Sequence, residues 1–289
     1  MTGRDPERLL PETLYTPESQ IRHPKQLWRA MRRDLLASRD LAWRLMVRDL
    51  SAQYRQSFLG VFWAFVPPIV AAAGLTFASN AKVLNIGETD LPYPAYVMFS
   101  MALWQTFVES LNGPVQAVLA AKPMLARINF PREAIILSQL GQVCFNFGIK
   151  LILIVALFLW FHIPVATTVV LAPVALIHLI ALGTAIGLLL APLGALYEDV
   201  SRALTLVVSA WLFFTPVIYP PPQTGLFAAL VRWNPVTPLL VTVRELATIG
   251  VVSAPLHFWL ASALALSGLL LSWLIYRVAM PFVIERISA

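Results

Sequence analysis

The chain has 289 residues, of which 58% are apolar and only 12% are charged. Soluble domains are about 45–50% apolar and about 25% charged, so this composition excludes a water-soluble globule, and its low charge excludes disorder. Its single cysteine, Cys144, excludes a disulfide framework and a zinc site with four cysteine ligands. The composition therefore predicts an integral membrane protein.

Residues 1–57 precede the first long apolar run and carry 11 of the 21 Lys and Arg residues. At about 100° per residue, Leu27, Trp28, Met31 and Leu35 share one helical face opposite basic residues. A second amphipathic stretch follows a break near Ser38. We expect a cytoplasmic tail with two amphipathic helices on the inner membrane surface, where the basic residues favour lipid headgroups over nucleic acid.

Six apolar stretches are candidates for crossing a bilayer core of about 30 Å, for which roughly 20 helical residues are needed. They cover residues 58–79, 95–119, 134–161, 164–193, 203–218 and 255–280. The fold class predicted is an all-α integral membrane protein with a six-helix transmembrane domain at 58–280. Residues 281–289 form its cytoplasmic C-terminus.

The basic residues also predict the orientation of this domain. Only Lys82, Arg232 and Arg244 fall in segments assigned to the outer side, and Lys150 lies within a span. All other Lys and Arg residues lie in inner segments, so the positive-inside rule places both termini in the cytoplasm.

Two connections are long enough to have structure of their own. The inner loop 121–133 mixes basic and apolar residues and can form a short projecting helix. The outer segment 219–254 is nearly uncharged and is broken by prolines, including Pro235 after Asn234. Its two apolar pieces are too short to span, so we expect re-entrant or interfacial helices.

No catalytic constellation is recognisable in the sequence. The four histidines are scattered, and no lysine follows a glycine, as a phosphate-binding P-loop requires. We therefore expect no enzyme activity, no metal site and no bound cofactor in this chain. If the protein uses ATP, another polypeptide must supply the ATPase.

Glu109 and Lys150 are the charges that fall within spans. Counted from the ends of their predicted spans, their backbones differ in height by roughly 15 Å, too far for direct contact. Outward snorkelling, a water-lined cavity and an anionic ligand stay open for Lys150. Glu109 precedes a helix break predicted at Asn112–Gly113–Pro114 and could cap it.

Five motifs follow one another between residues 54 and 235. They are YRQSFLGVFWAFVPP (54–68), FPRE (130–133), YEDV (197–200), FFTPVIYP (213–220) and WNP (233–235). In this order they resemble the membrane-spanning subunit of ABC exporters for lipid-linked polysaccharides, such as those for O-antigen and teichoic acid. The resemblance covers roughly residues 40–285, and Glu198 stands where that family has an arginine.

The resemblance implies a homodimer in the bacterial inner membrane, joined to two copies of a separate ABC ATPase that binds ATP and Mg. The substrate implied is a lipid-linked glycan. The loop ending in FPRE would couple the chain to the ATPase through Met124, Leu125, Arg127, Ile128, Phe130, Pro131, Arg132 and Glu133. Tyr54 and Arg55 would border the cytoplasmic entrance or gate, and the outer helices would close the far end.

Aromatic side chains suit a glycan path because they stack on the apolar C–H faces of sugars. The candidates are Phe62, Trp63, Trp104, Phe107, Trp211, Phe214 and Tyr219. The competing interpretation is an ordinary aromatic belt at the membrane interface.

Two other functions were weighed against export. An ion-coupled secondary transporter usually has several intramembrane acids and repeated halves, which this sequence lacks. A membrane enzyme acting on lipid-linked sugars would need acid–base residues that are missing.

Overall fold

The computed structural model describes residues 24–55, 60–81, 87–125 and 130–288, and within these ranges the chain is helical without a β-strand. The helices are α1 (Pro24–Ala37), α2 (Arg39–Arg55), α3 (Val66–Asn80), α4 (Tyr93–Leu125), α5 (Glu133–Trp160), α6 (Ala172–Leu196), α7 (Asp199–Trp211), α8 (Gly225–Trp233), α9 (Val236–Thr248) and α10 (Pro255–Ser288). The all-α class predicted from the sequence is confirmed.

Two helices precede the spanning part, as the amphipathic pattern predicts. The break between α1 and α2 falls at Ser38, whose hydroxyl donates to the carbonyl oxygen of Asp34 at 2.6 Å. α2 lies along α5, so Ala42 and Leu45 are buried while Trp43 stays exposed. Part of the apolar surface of α2 therefore packs on the helical bundle and is not free to contact lipid.

α4 and α6 form the centre of the bundle and approach each other to backbone contact. A Cβ at Gly183 would collide with the Ser110 hydroxyl, and a Cβ at Gly187 would collide with the carbonyl oxygen of Leu111. Glycines four residues apart are a known signal for close packing of membrane helices. The four-residue spacing of Gly183 and Gly187 is the signal in the sequence from which this close packing could have been predicted.

Three helical segments among the described residues are both long and apolar enough to cross a membrane. They are α5, α6 with its preceding turn (Thr167–Leu196), and α10. α8 and α9 meet at 84° and add a fourth crossing if the pair is one span, whereas α3 has only 15 residues. α4 has 33 residues, but its polar side chains make it less apolar. A multi-pass membrane protein is confirmed, but the number six is not established.

The fifth and sixth predicted spans have different boundaries in the structure. Residues 203–218 do not form one helix, because α7 ends at Trp211 and a short 3₁₀ turn leads to Thr215 in an extended conformation. Pro216 favours that conformation in the residue before it. At the other end of the chain, α10 runs on to Ser288, so most of the predicted C-terminal tail continues the last helix.

Candidate functional site

The two intramembrane charges form a direct ion pair, and the predicted separation is wrong. Lys150 Nζ lies 2.6 Å from Glu109 Oε1 and 3.3 Å from Thr106 Oγ1. Asn146 donates to the other carboxylate oxygen of Glu109 at 3.5 Å. The lysine side chain is 1% exposed and the glutamate side chain 32% exposed, so Lys150 does not snorkel outward.

The pairing follows from the length of the helical hairpin that α4 and α5 form. α4 continues to Leu125, six residues beyond the predicted end of its span at residue 119. Glu109 lies 16 residues before that end, and Lys150 lies 17 residues after the start of α5 at Glu133. Both are therefore about 25 Å along their helices from the connecting loop. Pairing offsets the cost of placing a charge within the membrane.

Three of the predicted path aromatics pack against one another. The ring centroids of Trp104 and Phe107 are 5.4 Å apart, and those of Phe107 and Trp211 are 5.5 Å apart. Phe107 is fully buried and Trp104 is 4% exposed, whereas Trp211 is half-buried. Trp104 and Phe107 thus fill space inside one subunit, and their assignment to a substrate path stays a prediction.

The remaining path candidates keep accessible surface. Phe62 and Trp63 are exposed in the 3₁₀ turn before α3, and Phe214 is exposed after α7. Tyr219 is half-buried, and its hydroxyl donates to the carbonyl oxygen of Phe213 at 2.8 Å. Desolvation, followed by the nearby Tyr96, raises the pKa of Tyr219 to about 12, so this hydroxyl stays protonated at physiological pH. These residues can meet a ligand, and whether they do stays a prediction.

Tyr96, Ser100 and Arg244 form a buried tyrosine–arginine cluster that the sequence analysis did not predict. The Arg244 guanidinium lies 4.2 Å from the centroid of the Tyr96 ring and donates to Ser100 Oγ at 2.8 Å. The Tyr96 hydroxyl donates to the carbonyl oxygens of Pro216 and Tyr219 at 3.1 and 2.8 Å. Arg244 was recognisable only as a loop charge, and nothing in the sequence singled out Tyr96.

The WNP motif also fixes the chain that follows α7. The Asn234 amide donates to Phe214 O and Thr215 Oγ1 at 3.0 and 2.9 Å, and its oxygen accepts from Trp211 Nε1 at 3.0 Å. The same oxygen accepts from the backbone N–H of Val236, the first residue of α9. One asparagine therefore joins the end of α7 to the bend between α8 and α9.

The predicted coupling segment is described only in part, since Arg127 and Ile128 lie outside the described residues. Leu125 is buried and Met124 half-buried against the chain's own core. Phe130 and Pro131 are half-buried in the chain that leads into α5. Arg132 directly precedes that helix and is also half-buried.

The carboxylate of Glu133 is already paired with an arginine of the same chain. Its carboxylate accepts from Arg277 Nη1 at 2.6 Å, and Arg277 Nη2 donates to Asp34 at 2.6 Å. The Glu133 side chain is 8% exposed and that of Arg277 is 15% exposed. Arg277, about two thirds of the way along α10, thus connects that helix to α1 and to the start of α5, and leaves little of Glu133 for an ATPase to contact. We call these three residues the arginine bridge.

The predicted entrance residues Tyr54 and Arg55 are the last two residues of α2. Arg55 is exposed at the last position of that helix, and the side chain of Tyr54 lies outside what the structure describes. Among the described residues, no group of three or more His, Cys, Asp or Glu side chains is arranged to hold a metal ion.

The chain matches the model of a known family of membrane proteins. Residues 40–247 match the family described as ABC-2 type transporter, and the chain belongs to that family. The resemblance drawn from the five motifs is confirmed at this level.

Two relatives are similar over most of the chain. The O-antigen export system permease protein RfbA of Myxococcus xanthus is 27% identical over 192 residues, which cover 65% of this chain and 71% of the relative. A protein of the same name from Klebsiella pneumoniae is 22% identical over 228 residues, covering 78% of this chain and 85% of the relative.

Proposed function

We propose that this chain is the membrane-spanning subunit of an ABC exporter that moves lipid-linked polysaccharide from the cytoplasmic side across the bacterial inner membrane. The observation that carries the proposal is the similarity to O-antigen export permeases over most of both chains, within a family match from residue 40 to 247. Secondary transport is less well supported, because the carboxylate of Glu109 is already paired with Lys150.

The finer architecture belongs to the same proposal. Two copies of the chain, each with six spans and both termini in the cytoplasm, assemble with two copies of a separate ABC ATPase. ATP and Mg bind to that partner, and this chain supplies the path for the lipid-linked glycan. The bend of 84° between α8 and α9 suits a re-entrant hairpin on the outer side.

The purified chain alone is expected to show no ATP hydrolysis, because none of its lysines follows a glycine in a phosphate-binding loop. Co-expressed with its partner ABC ATPase, the chain should form a complex that hydrolyses ATP and restores surface glycan in a host that lacks its own exporter. The measurements are phosphate release in proteoliposomes and glycan staining of intact cells. Hydrolysis by the chain in a sample free of ATPase by mass spectrometry would contradict the proposal.

Phe130 is the residue we expect to anchor the ATPase. Phe130 is the first residue of the FPRE motif and is half-buried, so part of its ring remains accessible to a partner. Truncating an aromatic interface anchor costs about 2 kcal/mol or more. Phe130→Ala should therefore weaken ATPase co-purification about 30-fold and abolish export, while the chain still inserts into the membrane.

Phe282→Ala is the matched control, since Phe282 is an exposed ring near the end of α10. It should leave both co-purification and export unchanged. Normal export by Phe130→Ala would mean that the loop only connects two helices. Loss of both variants from the membrane fraction would assign the effect to folding.

A further inference from the structure

One face of α4 is polar along the middle of the helix. Gln105, Glu109, Asn112 and Gln116 recur at intervals of three or four residues, so at about 100° per residue they lie within about 60° of arc. The first three are half-buried and Gln116 is exposed. We call these four residues the polar strip.

The polar strip coincides with the open side of α4. Most of the remaining helix circumference at this height is buried, including Thr106, Phe107, Ser110 and Leu111, whereas Val108 and Ala117 are half-buried. Within the part of the chain that the structure describes, the Gln105 and Asn112 amides have no hydrogen-bond partner, and Gln116 donates to Ser201 on α7 at 2.6 Å. The sequence thus places hydrogen-bonding groups on the face of a membrane helix that its own subunit covers only in part.

Contact with lipid is energetically unfavourable for this polar face. Unpaired amides in hydrocarbon cost several kcal/mol each, and polar residues within membrane spans turn toward a protein interior or a water-filled cavity. The strip extends over about 16 Å of helix, more than half of a bilayer core of about 30 Å. An aqueous path beside α4 accounts for its position.

The net charge of the strip indicates which class of substrate it can bind. Lys150 lies behind Glu109 and neutralises it, so the surface offers hydrogen bonds without net charge. Amides both donate and accept, and a carboxylate accepts, which matches sugar hydroxyls that also do both. An ion would instead need an uncompensated charge or a cage of oxygen ligands.

We propose that the polar strip is a binding surface for the hydroxyl groups of the translocating glycan, with the Lys150-paired carboxylate of Glu109 as its central acceptor. This inference rests on the proposed function and deepens it. It shifts sugar recognition from the buried Trp104 and Phe107 to a hydrogen-bonding surface on the same helix. A neutral, hydroxyl-rich chain is the substrate class that the strip fits.

Cysteine labelling in the complete transporter tests whether the strip faces water. In a background with Cys144→Ser, Asn112→Cys is compared with Ile152→Cys, an exposed apolar position on α5. A charged, water-soluble methanethiosulfonate should modify position 112 and leave position 152 unmodified. Modification at 112 should slow several-fold in cells that synthesise the glycan, compared with cells in which an inhibitor blocks the first lipid-linked sugar step.

An unreactive thiol at position 112 would overturn the proposal, and a disulfide between two such copies would identify the strip as a subunit contact instead. Equal labelling with and without glycan synthesis would also overturn it. Export by the unmodified chain is measured in the same cells. If that chain exports no glycan, the proposed function itself fails, whatever the labelling shows.

Substitutions test the strip by function. Glu109→Gln and Asn112→Leu should each lower the rate of glycan export about tenfold, the effect of losing one good hydrogen bond. Asn112→Leu leaves the ion pair intact, so it stays informative if Glu109→Gln accumulates poorly because Lys150 is unpaired. Glu285→Gln, an exposed carboxylate on α10, is the control and should export normally. Normal export by Asn112→Leu at normal abundance would contradict the proposal.

Discussion

Gly187→Ala is expected to destabilise the chain more than any other single-methyl change. The added Cβ would overlap the carbonyl oxygen of Leu111 and lie 3.0 Å from two ring carbons of Pro114. Neither group can move aside, because both belong to the backbone or ring of the buried helix α4. The helices must separate, and overpacking of this kind costs about 1–3 kcal/mol and in some cases more.

The measurement is the thermal midpoint of the detergent-solubilised chain, followed by size-exclusion chromatography after heating. Gly187→Ala should lower the midpoint by about 5 °C or more. Gly268→Ala on α10 is the matched control, since its Cβ would meet Ala185 Cβ at an ordinary 3.7 Å. Equal midpoints for the two variants would show that α4 and α6 are not in backbone contact.

Arg277→Met is expected to have the second large effect, because it leaves a buried carboxylate without a partner. Glu133 is 8% exposed on its side chain and accepts one of the two 2.6 Å bonds that Arg277 donates. Removing one member of a buried ion pair costs about 3–5 kcal/mol. The variant should accumulate poorly, and the protein that remains should lose export.

Two comparisons isolate the arginine bridge. Arg286→Met removes an exposed arginine from the same helix and should be nearly silent. The double variant Arg277→Met with Glu133→Gln should recover stability, because it no longer buries an unpaired charge. A double variant as unstable as Arg277→Met would show that α10 needs the arginine for its packing rather than for its charge.

Recovery of stability without recovery of export would be the informative outcome for coupling. The bridge connects α1, α5 and α10 directly beside the FPRE segment, so a movement of that segment reaches all three helices. Export is measured in the same cells as abundance, which separates loss of coupling from loss of protein.

Composition and backbone chemistry were sufficient to predict several local features of the fold. The break at Ser38, the start of α10 at Pro255 and the apolar helices α5 and α6 follow from periodicity and from proline. The end of α7 was misplaced, although Pro216 could have indicated an extended Thr215. The close packing of α4 and α6 could also have been predicted from the spacing of Gly183 and Gly187.

The candidate site was less predictable, since its pairs join distant parts of the chain. Asp34 and Arg277 are 243 residues apart in sequence, and Lys150 and Glu109 are 41 apart. Their contact depends on where each helix ends. An error of six residues in the end of α4 shifts its height by about 9 Å, which is more than half of the roughly 15 Å predicted between the two backbones.

The amino-acid sequence is sufficient to show that this protein belongs in a membrane, that it is helical, and that its motifs are those of an ABC-2 type transporter. These properties depend on composition and local order, which no packing can alter. Packing in three dimensions was needed to show that Trp104 and Phe107 are enclosed, that Lys150 contacts Glu109, and that the polar side of α4 is only partly covered. Rotation and depth of each helix set those contacts, and both come from packing between helices.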